Sequence, residues 1–363
     1  MTPLLEVRSA SRVFGGGGLL RPGREVTAVR EADLVLPGDR PAAVAVAGES
    51  GSGKTTLARL MLGMLAPSSG EVRYRGLELR QMTRGQQRRF RREVQGVFQD
   101  PFEVFNPFYK VDHALAVPVG RFYPELTGQQ RRERIEEGLR STGLRPEETL
   151  GRYPHQLSGG QRQRVMVARA LLLDPRVVIA DEPVSMVDAS LRATILESLY
   201  RSHRERGISI VYITHDLTTA FQLCRTILVM YSGSVVEVGE MELVMKEPKH
   251  PYTRLLVGSI PHADPGRRWG EAAAGPGAGQ GEAGSEESPE RGAEAVEADA
   301  APEGESGQGC VFASRCPSVT AVCRRSRPPL LETDPTRGAA CFLYEGARPL
   351  DGERAAAMTH GEE

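Results

Sequence analysis

An α/β fold built on a parallel sheet is what this sequence predicts, and three observations carry the prediction. Residues 42–47, 177–180, 208–213 and 227–231 are continuous apolar runs, the pattern of strands covered on both faces. Amphipathic helical stretches separate them. A glycine-rich loop, residues 48–55, joins the first run to a helical pattern at 55–65, which is the strand–loop–helix order of phosphate-binding folds.

Composition agrees with a globular body. Of 363 residues, 40% are hydrophobic and 26% charged, ordinary values for a soluble domain. The length suits roughly two domains of about 150 residues. No apolar run approaches the ~18–20 residues needed to cross a bilayer, and residues 1–10 lack the basic flank and apolar core of a secretory signal. Any membrane role is therefore expected to run through a partner. The net charge of −1 hides a strong asymmetry. Residues 270–309 hold nine Glu, one Asp and one Arg, a net −9, which leaves +8 on the rest of the chain.

The elements follow in chain order. Residues 4–8 and 26–35 read as antiparallel strands. Next comes Gly48-Glu49-Ser50-Gly51-Ser52-Gly53-Lys54-Thr55. Its glycines let successive N–H groups turn inward toward phosphates, and the helix that follows adds a partial positive charge. Lys54 is expected to reach the terminal phosphates and the Thr55 hydroxyl to bind Mg²⁺, with Thr56 beside it. Arg84, Arg88, Arg89, Arg91 and Arg92 form one basic helix; Arg131, Arg132 and Arg134 belong to another. Contact with anionic lipid headgroups or nucleic acid is one reading of both; solvated helix faces, common in Arg-biased sequences, are the favoured one. Residues 127–172 are mostly helical in pattern. The strand at 177–180 ends in Asp181-Glu182, at the carboxyl edge where α/β sheets bind ligands. Asp181 is placed to hold Mg²⁺ and Glu182 to act as general base on a water. A further strand ends in Thr214-His215-Asp216.

Leu157-Ser158-Gly159-Gly160-Gln161 makes the sequence specific. It resembles the LSGGQ signature of ATP-binding-cassette (ABC) ATPases. Gln99 in Val97-Phe98-Gln99-Asp100-Pro101 matches that family's Q-loop, residues 185–188 ending in Asp188 resemble its D-loop, and His215 matches its switch histidine. Lys54 and Asp181 are 127 residues apart, leaving room for an inserted helical subdomain at about 100–170. The resemblance implies a P-loop ABC ATPase core, residues 1–262, with an antiparallel β subdomain. It implies that ATP and Mg²⁺ bind between one subunit's phosphate loop and the other's signature. Gln99 would then contact Mg²⁺ and couple the γ-phosphate to the helical subdomain, and His215 would hold the catalytic geometry. The family also stacks an aromatic residue on adenine; Phe14 is the candidate, with a core phenylalanine as the alternative.

The C-terminal third changes twice. Residues 263–309 are Gly-, Ala-, Glu-, Pro- and Ser-rich, too polar to offset the entropy of ordering, and read as a disordered acidic linker. Residues 310–345 hold Cys310, Cys316, Cys323 and Cys341 and read as a small Cys-rich module, with a polar tail at 346–363. Cys224 reads as a buried small hydrophobe. The C-x5-C-x6-C-x17-C spacing lacks the tight pairs of structural zinc sites. A [4Fe–4S] cluster, another metal, or reduced structural thiols all remain open.

Residues 181–188, His250-Pro251-Tyr252-Thr253-Arg254 and the Cys310-to-Pro317 stretch resemble the oligopeptide, dipeptide and nickel importer branch, in particular its second ATPase type. That resemblance implies a partner ATPase, identical or paralogous, two membrane permease subunits, an extracytoplasmic substrate-binding protein and a peripheral place at the cytoplasmic face of the membrane. It implies no nucleic acid partner. A soluble ABC ATPase acting on DNA or ribosomes is the alternative, but such proteins usually carry two cassettes or a long coiled coil, and neither is present.

Overall fold

The computed structural model describes residues 2–15, 25–100, 105–185, 187–260 and 308–359. In chain order its strands are β1 (Leu5–Phe14), β2 (Val26–Leu36), β3 (Ala43–Ala47), β4 (Ser69–Tyr74), β5 (Leu77–Glu78), β6 (Val94–Val97), β7 (Val177–Asp181), β8 (Ser209–Thr214), β9 (Thr226–Tyr231), β10 (Ser234–Glu240), β11 (Leu331–Asp334) and β12 (Arg337–Ala339). Its helices are α1 (Lys54–Met61), α2 (Arg84–Glu93), α3 (Val111–Phe122), α4 (Gly128–Ser141), α5 (Pro146–Thr149), α6 (Gly159–Leu171), α7 (Ala189–Arg206), α8 (Leu217–Leu223), α9 (Met241–Lys246), α10 (Pro251–Gly258), α11 (Ala321–Arg325) and α12 (Gly352–Ala357).

The central sheet runs β11-β12-β10-β9-β3-β8-β7-β6. Its β9-β3-β8-β7-β6 part is parallel, as the apolar runs predict. Their lack of alternation has a direct cause. Ala43, Ala45, Ala47, Val178 and Ala180 feed one core, whereas Val44, Val46, Val177 and Ile179 feed the other. Successive side chains point to opposite faces, and both faces are covered. The second sheet, β2-β1-β4-β5, is antiparallel, as expected for the N-terminal strands.

Helices α3 to α6 lie between β6 and β7 in the chain, which is the inserted helical subdomain. Three helices begin with the same device. Thr83, Thr127 and Ser158 each accept the backbone N–H three residues on, and Gln86, Gln130 and Gln161 reach back to the cap's own N–H. This reciprocal capping satisfies two donors that a helix start leaves orphaned.

The C-terminal expectation needs correction. Residues 310–345 do not stand apart as a module. Strand β12 pairs with β10 over Glu237–Gly239 and Arg337–Ala339, and β11 pairs with β12, so the segment extends the central sheet. The row of N–H and C=O groups that β10 would present at an edge is thereby paired. Fully buried Phe312 joins the core beneath β9. Arg337, 1% exposed, donates to Asp334 Oδ2 at 2.6 Å and to Leu243 O at 3.0 Å. Nor is 346–359 a free tail. Ala355, Ala356 and Met358 are buried, and the Thr359 hydroxyl donates to Val35 O at 2.9 Å. The sequence in this region is polar because α12 is short and small-sided, and its burial depends on partners more than 300 residues away. The acidic linker expected at 263–309 lies outside the described residues except for its last two.

Candidate active site

The phosphate loop leaves the carboxyl end of β3. Gly48 and Gly53 have φ of 153° and 102°, a region that side chains rarely adopt. A Cβ on Gly53 would lie 2.1 Å from Ala28 O, and one on Gly48 2.2 Å from Met230 O, so the loop is packed hard against neighbouring backbone. Gly51 faces open space, Ser50 is exposed and Ser52 is buried. Lys54 opens α1 with its aliphatic stem buried. Its ammonium donates to Gly48 O and Glu49 O, both at 2.7 Å. Burial pushes its pKa down, opposed by Glu182, Asp181 and Glu49.

Asp181 ends β7 and is buried, with a pKa raised by desolvation. It hydrogen-bonds the Thr55 side chain. Its Oδ1 is buried with no hydrogen-bond partner. Leaving a carboxylate oxygen unpaired in the interior is costly, and the pairing of Thr55 with a half-satisfied acid is the donor set a hard oxygen-seeking cation takes. The residues present therefore fit Mg²⁺. Thr56, the next residue of α1, is half-buried.

Glu182 gathers the other catalytic candidates. It follows the strand with φ of 45°, a conformation costing a non-glycine residue about 1 kcal/mol or more and found most often at functional sites. Its N–H donates to Ile213 O at 2.9 Å, which ties the turn to β8. Gln99 Nε2 donates to Glu182 Oε2 at 3.1 Å, and His215 Nδ1 lies 3.0 Å from Glu182 Oε1. Three residues spread over 117 positions thus form one hydrogen-bonded group at the carboxyl edge of the parallel strands. Both oxygens of the Glu182 carboxylate are thus engaged, which fixes the direction in which the group points.

The remaining expected residues divide. Ser158 caps α6, its hydroxyl accepting the Gln161 N–H at 3.1 Å while Gln161 Oε1 accepts the Ser158 N–H at 2.9 Å. Among the described residues, no hydrogen bond joins Ser158–Gln161 to the chain's own phosphate loop. Gly159 is half-buried. At Gly160 a Cβ would lie 2.9 Å from Leu191 Cδ1 and 3.4 Å from Val187 Cγ1, so the signature packs on the turn that leads to Asp188. Asp188 is exposed and starts α7 without a side-chain cap. Phe14 is 38% exposed with the Arg12 guanidinium 4.8 Å over its ring, which removes the core alternative. The Q-loop is tied to α6: Gln163 Nε2 donates to Phe98 O at 3.2 Å.

Two residues that touch the phosphate loop carry no signal in their local sequence. Tyr252 on α10 accepts the Glu49 N–H at 2.8 Å, and Arg315 holds both Glu49 carboxylate oxygens, at 2.8 and 3.1 Å. They were visible only as parts of branch-like stretches.

The four C-terminal cysteines line one cavity of about 110 Å³ together with His250, some 60 residues earlier in the chain, and Phe312. Burial raises the Cys310 and Cys341 thiols. Among the described residues, no three His, Cys, Asp or Glu side chains are grouped to hold a metal. Four thiols on one cavity are nonetheless the donor set that a soft metal takes. Cys224 is buried, its thiol raised by desolvation.

Comparison with known proteins follows the same division of the chain. The profile of the ABC transporter family matches residues 38–185, and that of the oligopeptide/dipeptide transporter C-terminal region matches 236–323. The chain is 36% identical over 300 residues to the putative oligopeptide transport ATP-binding protein YkfD of Bacillus subtilis, spanning 83% of this chain and 85% of the relative. It is 35% identical over 300 residues to the oligopeptide transport ATP-binding protein OppF of Escherichia coli, spanning 83% of each. Among solved structures, the ATP-binding cassette MJ0796, a dimer in a post-hydrolysis state with ADP and Pi, superposes with a TM-score of 0.58 at 26% identity, covering 65% of this chain and 98% of that one. With its phosphate loop, signature, Q-loop and switch histidine arranged as described, this chain belongs to the ATP-binding subunits of ABC transporters, in the oligopeptide/dipeptide branch.

Proposed function

We propose that this chain hydrolyses ATP as one of two ATPase subunits paired beneath two membrane permease subunits, and that turnover drives uptake of peptides delivered by an extracytoplasmic binding protein. The observation that carries the chemistry is the Gln99–Glu182–His215 group. Glu182 takes a proton from water as that water attacks the γ-phosphorus of ATP. The P–O bond to the β-phosphate breaks, and ADP and phosphate leave. Gln99 and His215 hold the Glu182 carboxylate in one direction. Lys54 and the N–H groups of the phosphate loop stabilise the oxygens on which charge develops. Thr55 and Asp181 would hold Mg²⁺, which supplies charge neutralisation at the phosphate oxygens when bound.

Ser158 and the α6 N-terminus serve the partner's ATP rather than the chain's own. Phe14 takes the adenine face. Binding favours the closed dimer, and hydrolysis releases it. None of the described helices is long and apolar enough to cross a membrane; the place at the cytoplasmic face follows from the importer reading. YkfD and OppF bear the names of oligopeptide transport ATP-binding proteins, and a match of 39% identity over 268 residues, 73% of this chain and 42% of the relative, is to a glutathione import ATP-binding protein of Salmonella paratyphi A; these names support short peptides as cargo.

The test is Glu182→Gln in the full chain. ATP binding is expected within about twofold of the parent while hydrolysis falls by roughly 10²–10⁴, and ATP should then trap a dimer on gel filtration. Turnover at the parental rate would remove Glu182 as the base. Co-purification of membrane subunits supports the import reading; retained nucleic acid in their place would favour the DNA or ribosome alternative. The convergence of four thiols on one cavity supports a second proposal, a [4Fe–4S] cluster. Anaerobically purified protein should then be brown and contain iron; colourless, iron-free protein would leave the cysteines as structural thiols.

A further inference from the structure

Glu49, the second residue of the phosphate loop, is gripped from outside the cassette. Its carbonyl accepts the Lys54 ammonium at 2.7 Å and the Ser52 N–H at 3.2 Å. Glu49 therefore shares with Gly48 the placing of the Lys54 ammonium and helps set the middle of the loop. Its N–H donates to the Tyr252 hydroxyl at 2.8 Å, and its two carboxylate oxygens accept from Nη1 and Nη2 of Arg315 at 2.8 and 3.1 Å. Both partners fall within residues 236–323, not within 38–185.

The partners are themselves immobilised. Tyr252 is fully buried, its ring 5.5 Å from Phe312 and 4.6 Å from Tyr231. Phe312 is also fully buried, and its carbonyl accepts the Arg315 N–H at 3.1 Å. The Arg315 guanidinium stands 5.7 Å from the Tyr231 ring centroid and 5.8 Å from that of Phe312. A planar cation held over two rings and forked onto one carboxylate loses little further freedom in making both bonds.

We propose that Arg315 is a positioning residue of the ATP site: through its two hydrogen bonds to Glu49 it holds the phosphate loop, and with it Lys54, in the geometry that binds nucleotide. This rests on the reading of residues 48–55 as the ATP site. The residue acts through Glu49 and touches no phosphate. Its side chain and that of Glu49 are 40% and 38% exposed, so water screens the pair and the effect is modest.

The experiment is a double-mutant cycle in the full chain, reading the Kd of a fluorescent ATP analogue with the KM and kcat of hydrolysis. Arg315→Ala should raise Kd and KM about threefold and lower kcat by less. Arg315→Lys, which keeps the charge without the fork, should recover part of the affinity. In a Glu49→Gln background Arg315→Ala should change Kd by clearly less than in the parent. Unchanged Kd in Arg315→Ala, or the same rise with and without the Glu49 carboxylate, overturns the proposal and leaves Arg315 as a surface ion pair. Should Arg315→Ala fail to fold, Arg315→Lys measured with and without Glu49→Gln decides it by the same criterion. Lys54→Ala separates the two levels. If Lys54→Ala binds the analogue like the parent, the ATP-site reading itself fails; if Lys54→Ala loses binding and the Arg315 cycle shows no coupling, only the positioning role falls.

Discussion

At the residue scale, backbone and burial constrain the site as strongly as charge does. Gly53→Ala places a methyl group about 2 Å from Ala28 O in a left-handed backbone. The loop must shift, and ATP affinity is expected to fall at least tenfold in an equilibrium titration while far-ultraviolet circular dichroism stays like the parent's. His250 contributes one pH-dependent part of the stability, beside Glu237, whose carboxylate accepts the His250 N–H and whose pKa is raised by burial. His250 is 1% exposed, caps α10 by accepting the Tyr252 N–H at 3.1 Å, and burial, reinforced by Arg254, pushes its pKa down to about 4. The unfolded chain has a histidine near pH 6.5, so between 6.5 and 4 it binds the extra proton. That stability is present above pH 6.5 and is lost as the pH falls toward 4, about 3 kcal/mol in all. His250→Asn keeps a capping acceptor without the titration. Its unfolding free energy in urea should decline less than the parent's between pH 7 and 4.5; parallel curves would show that other groups dominate.

At the element scale, three helices share a cap but only one of those caps lies in the signature. Thr127→Ala and Ser158→Ala each remove one capping acceptor and should cost about 1 kcal/mol in denaturant unfolding. Only Ser158→Ala should also impair ATP-dependent dimerisation, because the α4 start has no place in the site. Equal loss of dimer in both would attribute the effect to the helical subdomain as a whole. The packing of Gly160 on Val187 and Leu191 makes the signature and the turn to Asp188 a single unit. If Ser158 serves the partner's nucleotide as proposed, that contact would lie on the same packed unit as the turn that follows Glu182.

At the scale of the whole molecule, the C-terminal region is part of the fold and not an appendage. Truncation after residue 307 strips β11 and β12 from β10, uncovers the strand edge and removes Phe312 from the core. The shortened chain should be largely insoluble or aggregate at low temperature, whereas deletion of residues 270–307 should spare both solubility and hydrolysis. A soluble, fully active chain of 307 residues would show that the sheet extension is dispensable. The charge asymmetry takes its place here too, since the −9 lies almost wholly between two parts that are packed on each other.

Sequence alone determined the parallel strands, the phosphate loop, the signature helix and the acidic pair at the end of β7. Each is a local or short-range signal: apolar runs of strand length, glycines needed for a positive φ, a Ser-x-x-Gln cap, acids at a strand end. The family motifs then ordered them along the chain. What only tertiary structure decided depends on contacts between residues far apart. That Gln99 and His215 meet on opposite oxygens of Glu182 follows from the order of β6, β7 and β8 in the sheet. That Cys310 to Cys341 share one cavity, that β12 closes the β10 edge, and that Arg315 reaches Glu49 across 266 positions could not be read locally. No periodicity or spacing encodes a pairing of that length; it exists because the chain returns to bury Phe312 beneath β9, and Arg315 comes with it.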